Sequence, residues 1–146
     1  MKAINSMKLQ FEGRSVNEAF SRTAVAAFVA QLDPTVEELS DIKTAVSEAV
    51  TNCIVHAYPD SLGKVTMRLR ILGGDTLEIS VKDSGRGIED VARAREPLFT
   101  TGGEERSGMG FTIMESFMDK LSVRSAEGKG TKVTMRRRIL PRPAGK

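Results

Sequence analysis

Residues 65–81 hold two runs in which every second residue is apolar: Val65, Met67, Leu69 and Ile71, then Leu77, Ile79 and Val81, with Gly73, Gly74 and Asp75 between them. Strand side chains alternate between faces, so each run buries one face, and a short glycine-rich turn folds the second run back on the first. A hairpin with one apolar face has to be covered, and the flanking segments have the periodicity to cover it. Ala19, Phe20, Thr23, Ala24, Ala27, Phe28 and Gln31 form a helical stripe behind Ser15 and Glu18, which are spaced as a capping box, so a helix is predicted over about 16–31. Asp33-Pro34-Thr35 interrupts it. Thr35 and Glu38 offer a second capping box ahead of Leu39, Ile42, Val46, Ala49, Val50, Cys53, Ile54 and Ala57, predicting a long helix over about 36–57.

Shorter alternations complete the pattern. Met7, Leu9 and Phe11 predict a short strand near a sheet edge, and Phe111, Met114, Phe117, Met118 and Leu121 predict a helix from about Met109. Val123 is expected to open a strand, which turns at Glu127-Gly128-Lys129-Gly130 into a last strand carrying Val133 and Met135. The order strand, two helices, hairpin, helix, hairpin predicts an α+β fold, a two-layer α/β sandwich whose mixed sheet is covered on one face by helices. With 146 residues, one domain over 1–146 is expected.

Composition narrows the function classes. The chain is 40% hydrophobic and 28% charged, and no apolar run nears the roughly 20 residues of a membrane span, so a soluble protein is expected. The start, "MKAINSMKLQFEG", lacks a signal-peptide pattern, and the single Cys53 forms no internal disulfide, so a cytoplasmic location is expected. With one Cys and one His, a zinc or iron site would have to be built almost entirely from carboxylates, so none is expected. A formal charge of +3, no Trp and one Tyr give no reason to expect direct nucleic-acid or membrane binding. The basic tail over 137–146, with Arg136, Arg137, Arg138, Arg142 and Lys146 near or in it, reads as a solvated strand end.

Four stretches carry candidate chemistry. Glu48 and Asn52, one helical turn apart, leave the long helix on nearly the same side and can share a ligand; an exposed helix face explains them equally simply. "DSGRGI" (83–88) ends a strand in a loop with two glycines, where a carboxylate can accept a hydrogen bond from an exocyclic amine, although a plain turn has the same composition. "SGMGF" (107–111) puts Gly108 and Gly110 at a helix start, where free N–H groups favour an anion such as phosphate; a helix capped by Ser107 is the simpler reading. "GKGT" (128–131) is a hairpin turn whose Thr131 could reach a base. No P-loop is present. Together the four suggest a nucleotide site: an amide oxygen beside a triphosphate suits Mg²⁺, and a nearby carboxylate can act as a base.

In this order, "EAVTNCIVHA", "DSGRGI", "SGMGF" and "GKGT" resemble the N-box and the three glycine boxes of the gyrase, Hsp90, histidine-kinase and MutL ATP-binding superfamily, over residues 8–136. "FVAQLDPT", "PLFTT" and "RSGMGFTIMESFMD" further resemble its anti-sigma serine kinases of spore-forming bacteria. The resemblance implies ATP/ADP and Mg²⁺ as cofactors. Asn52 would hold the metal, Glu48 would be the general base and Asp83 would bond the adenine amino group. Gly85, Gly87 and Ile88 would line the base pocket, with Thr131 assisting. Gly108, Met109 and Gly110 would cradle phosphates under a lid over 99–107 that includes the nucleotide-binding Thr100, Thr101 and Ser107, and Arg106 would approach the γ-phosphate. The implied partners are the sporulation sigma factor F, an anti-anti-sigma factor phosphorylated on serine, and a second copy of the chain. Glu18 and Arg22 match partner-contacting positions, whereas the residues alone read there as an i to i+4 ion pair on a solvated face. A kinase of a stress-response sigma switch would share every nucleotide motif, and a non-catalytic ATP-dependent sigma-binding module would dispense with Glu48. A histidine kinase is not expected, because the one histidine, His56, lies within the N-box helix.

Overall fold

In the computed structural model, residues 2–57, 63–85, 87, 91, 95 and 110–141 are described. Strand β1 (Ala3–Glu12) leads into α1 (Ser15–Val29), a 3₁₀ turn (Ala30–Leu32) and α2 (Val36–Thr51), whose last turn widens into a π-helix (Asn52–Ala57). The hairpin β2 (Lys64–Leu72) and β3 (Thr76–Asp83) follows, then α3 (Gly110–Phe117), β4 (Lys120–Ala126) and β5 (Gly130–Arg138). The strands form one sheet in the order β1-β2-β3-β5-β4. The α+β sandwich is as the sequence predicts, but the sheet is not mixed: all four pairings are antiparallel. The chain returns through α3 to β4 running parallel to β3, yet β5 is inserted between them, so the two parallel strands never touch.

Register shows where the core lies. One rung aligns Leu9, Met67, Val81, Val133 and Val123, and the next Met7, Leu69, Ile79, Met135 and Leu121. These are apolar across five strands and face Val25, Val29, Ile42, Val46, Ala49 and Val50 of α1 and α2, all at most 1% exposed, together with Met114 of α3. Burial on this scale, at about 25 cal/mol per Å² of apolar surface, fixes the register, because a one-residue slip would turn the whole inner face outward.

Local signals decide the element ends. Thr35 and Glu38 do form the capping box that starts α2: Glu38 N–H donates to Thr35 Oγ1 at 3.0 Å and Thr35 N–H to Glu38 Oε1 at 2.8 Å. The box predicted at Ser15 does not form; Arg14 is the cap residue, with no side-chain cap, and Glu18 instead binds Arg22 and Ser47. Helix α1 tightens into a 3₁₀ turn and stops at Asp33, whose left-handed φ of 51° ends it. Strand β4 begins at Lys120 rather than Val123, because Asp119 N–H already donates to Arg136 O at 2.8 Å and draws Leu121 out of the helix into the ladder. Gly73 and Gly74, at φ 61° and 85°, supply the left-handed backbone of the β2–β3 turn.

Three of the arginines expected to be solvated are anchored, while Arg142 and Lys146 lie outside the described residues. Arg137 donates to Asp41 Oδ2 at 3.1 Å, Arg138 pairs with Asp75 at 2.8 Å, and Arg136 joins Arg70 on either side of Glu78. Arg70, Glu78 and Arg136 share a rung on the outer face, and the Glu78 side chain is only 6% exposed. Burial opposes its charge, but the hydrogen bonds and charges of Arg70 and Arg136 outweigh that and hold its carboxyl below the usual carboxylate range. A depressed carboxylate stabilises the fold above the unfolded pKa of about 4.3, and the stabilisation is lost as pH falls through the lower folded value. Glu78→Gln is therefore expected to cost on the order of 1–2 kcal/mol at pH 7, since both arginines keep some access to water, and the gap to wild type should narrow below about pH 4 in denaturant titrations. A gap constant from pH 7 to pH 3 would contradict this.

Candidate functional site

The apolar rungs end abruptly on one side of the sheet. The third rung begins with Phe11 and Val65, then changes character to Asp83, Thr131 and Ser125. Three polar residues on the inner face at the ends of β3, β5 and β4 make a polar floor where the core stops. Asp83 is 5% exposed. Its Oδ1 accepts from the N–H of Gly85 at 3.0 Å and of Thr131 at 3.2 Å, and the buried Cys53 lies beside the same carboxylate. Burial still prevails and raises the Asp83 pKa above the usual carboxylate value, against the opposing pull of Gly85, Cys53 and Thr131. Burial and then the Asp83 charge push the Cys53 thiol well above its ordinary value, so it stays protonated and able to donate. Ser125 Oγ lies 2.7 Å from Thr131 Oγ1 and donates to Gly130 O at 2.9 Å, which steadies the far side of the floor.

Two glycines here are required by close approach. A Cβ on Gly87, at φ 76°, would sit 2.0 Å from Ala126 O, and one on Gly130, at φ 89°, would sit 2.3 Å from Asp83 O. The loop after β3 and the β4–β5 turn therefore press directly on each other's backbone and close the floor from below.

A second polar group lies along α2. Glu48 and Asn52 are both half-buried, and the last turn of α2 carries them toward the start of α3. A Cβ on Gly110, the first residue of α3, would lie 3.2 Å from Glu48 Oε2 and 3.4 Å from Asn52 Oδ1. An acid, an amide and a helix N-terminus thus converge on one point, and a side chain at position 110 would intrude between them. The π-helical turn starts at Asn52, and such insertions often mark functional positions in helices. Among the described residues no cluster of three or more acidic, His or Cys side chains is set to hold a metal by itself.

On the other side of Glu48, Glu18 of α1 accepts a short hydrogen bond from Ser47 and pairs with Arg22 at 3.1 Å. The i to i+4 ion pair expected from the residues is present, but Glu18 also ties α1 to the residue next to Glu48. A surface groove of about 400 Å³, lined among others by Arg22, Val36, Leu39, Lys43, Ser47 and Glu48, runs along this face. Glu48 therefore stands where the groove meets the start of α3.

Of the predicted site residues, the structure brings together Asp83, Gly85, Gly87 and Thr131 at the floor, and Glu48, Asn52 and Gly110 at α2. Arg22 lines the groove, and Glu18 bonds to two of its lining residues, Arg22 and Ser47. Arg106, Ile88, Thr100, Thr101, Ser107, Gly108 and Met109 lie outside the described residues. Sequence reasoning missed Cys53 and Ser125. Cys53 read as one more apolar stripe residue, although its place directly after Asn52 was a signal; Ser125 is visible only once the β4–β5 register is known. No helix among the described residues is long and apolar enough to cross a membrane.

Residues 13–137 match the family model of the histidine kinase-like ATPase domain. The chain is 59% identical over 140 residues to an anti-sigma F factor of Caldanaerobacter subterraneus subsp. tengcongensis, covering 95% of this chain and 97% of that one. It is 54% identical over 136 residues to an anti-sigma F factor of Clostridium perfringens, covering 92% and 97%. Among solved structures it resembles the RsbU and RsbW domains of a Mycobacterium tuberculosis protein with a TM-score of 0.69 at 20% identity, over 96% of this chain and 34% of that one. The mycobacterial sensor histidine kinase MprB matches with a TM-score of 0.60 at 18% identity, over 93% and 100%. At these identities the structures speak for the fold, and the sequence relatives for the family. The chain belongs to the anti-sigma F factors, within the histidine kinase-like ATPase domain family.

Proposed function

We propose that this protein binds and inhibits sporulation sigma factor F and uses Mg-ATP to phosphorylate a serine of an anti-anti-sigma factor. The observation that carries the kinase part is the convergence of Glu48, Asn52 and the first residue of α3, with Glu48 also opening onto the α1–α2 groove. A structural nucleotide site has no need of an acid placed between the phosphate end and a surface groove. The sigma-binding part is supported by relatives named anti-sigma F factors that match over nearly their whole length.

In this reading Asp83 accepts from the adenine amino group while Gly85, Gly87 and Thr131 shape the floor around the base, with Ile88 completing the pocket. The triphosphate runs toward Gly110, where the N–H groups at the start of α3 and the positive end of its dipole receive negative charge. Ser107, Gly108 and Met109 extend that cradle, and Thr100, Thr101 and Arg106 belong to a lid that closes on the γ-phosphate. Bound Mg²⁺ would draw charge off the phosphates, with Asn52 Oδ1 as its protein ligand. Glu48 takes the proton of the substrate serine as its oxygen bonds to the γ-phosphorus, the bond to the bridging oxygen breaks, and ADP leaves. Arg22, with Glu18 paired to it, flanks the groove through which the partner protein presents its serine, and the active form is a homodimer.

Labelled ATP and a purified anti-anti-sigma protein test the reaction. Glu48→Gln is expected to slow γ-phosphate transfer about 10²- to 10⁴-fold while ATP still binds, the range of a lost general base. ATP binding without transfer by the wild-type chain would leave a nucleotide-dependent sigma-binding module instead.

A second outcome concerns the base. Asp83 is an acid whose folded pKa is raised, so it favours the fold at low pH and costs stability once ionised near neutrality. Asp83→Asn should therefore weaken ATP binding more than tenfold without lowering Tm at pH 7, as read by calorimetric titration and thermal unfolding. Unchanged affinity would remove Asp83 from base recognition.

A further inference from the structure

The outer face of the sheet differs in charge from the rest of the molecule. Side chains alternate along a strand, so the residues between the apolar rungs point away from the helices. One outer rung aligns Gln10, Thr66, Lys82, Lys132 and Arg124, and the next Lys8, Arg68, Ser80, Thr134 and Ser122. The third is the Glu78 rung, where Lys120 lies beside Arg136. These three rungs hold eight cations and one acid, whereas the whole chain nets +3, so the remaining residues are net acidic. Glu78 is already taken up by Arg70 and Arg136. Lys8, Arg68, Lys82, Lys120, Arg124 and Lys132 are exposed, and none makes an ion pair among the described residues. Lys8 stands opposite Arg68, and Lys132 opposite both Lys82 and Arg124. Like charges directly opposite across strands destabilise a sheet, and a face that only had to be solvated would intersperse both signs.

We propose that this face binds the phosphate backbone of duplex DNA, independently of base sequence and of the nucleotide site. Lys and Arg, with the hydroxyls of Ser80, Ser122 and Thr134 between them, are the groups that contact phosphates, and the row of cations across β3, β5 and β4 meets several at once. The three rungs carry no aromatic or apolar side chain, which leaves no stacking platform for unpaired bases and no apolar anchor for a protein interface. A twist of about 20–25° between neighbouring strands turns the face progressively across the sheet, so a flat lipid surface would meet only part of it, while a curved duplex can follow it. A second copy of the chain would set like charge against like. The formal charge of +3 conceals this face, because the charge is sorted by strand face and only the register reveals it.

Fluorescence anisotropy of a labelled short DNA duplex, titrated with the full chain at several salt concentrations, tests this. Wild type should bind duplexes of unrelated sequence alike, and for about six phosphate contacts its affinity should fall about a thousandfold between about 50 and about 200 mM salt. Neutralising one row, Lys82→Gln with Lys132→Gln and Arg124→Gln, should lower the slope of log affinity against log salt by about two to three. The same variant should keep or raise Tm, because two like-charge cross-strand pairs are removed. Lys2→Gln with Arg14→Gln and Lys43→Gln removes the same charge elsewhere and should change the slope by less than about one. No duplex binding at about 50 mM salt, or equal losses in the two triple variants, would overturn the proposal. So would tighter binding, at equal salt, to phosphatidylserine vesicles or to a helical glutamate-rich peptide, which would assign the face to a lipid surface or an acidic protein instead.

Discussion

A buried carboxylate at the end of an antiparallel sheet organises this site. Asp83 occupies the rung where an apolar inner face would otherwise continue, and it is tolerated there because two backbone N–H groups bind it. The same contacts join parts of the chain far apart in sequence: the loop after β3 and the start of β5. Gly87 and Gly130 can have no side chain because those parts meet backbone to backbone. In the proposed reading, the group that accepts from the base also locks the floor it stands on. Burial outweighs those hydrogen bonds and raises its pKa, as is common where a fold keeps a polar group for function.

The rest of the architecture sets the distance between this floor and the start of α3. Helix α2 bridges them: Val46, Ala49 and Val50 bury against the sheet, while Glu48 and Asn52 face Gly110 and Cys53 faces Asp83. The C-terminal turn of one helix therefore lies against both the start of α3 and the end of β3. The Glu18 to Ser47 hydrogen bond extends the coupling to α1, so the groove surface, the candidate base and the sheet form one connected unit.

Much of this was legible in the sequence because it follows from periodicity. The β2–β3 hairpin, the three helices and the Thr35 to Glu38 capping box were each fixed by local spacing, which tertiary contacts did not need to override. What failed was decided by distant partners. Ser15 has the chemistry of a cap, but Glu18 is taken up by Arg22 and Ser47 instead. Lys120 and Leu121 look helical until Asp119 finds Arg136, and no local pattern announces that β5 inserts between β3 and β4 and makes the sheet wholly antiparallel. The arginine run looked like solvent-exposed charge because its partners, Asp41, Asp75 and Glu78, lie roughly 60 to 100 residues away. In the site, residue types and order were visible, whereas the contact of Cys53 with Asp83 required knowing how α2 lies on β3.

The central claim is that one ligand spans the floor at Asp83 and the start of α3. A crystal structure with a non-hydrolysable ATP analogue and Mg²⁺ tests it most directly. The account predicts the adenine amino group within hydrogen-bond distance of the Asp83 carboxylate and Asn52 Oδ1 at about 2.1 Å from the metal. A nucleotide bound with its base away from Asp83, or with its phosphates away from Gly110, would contradict it.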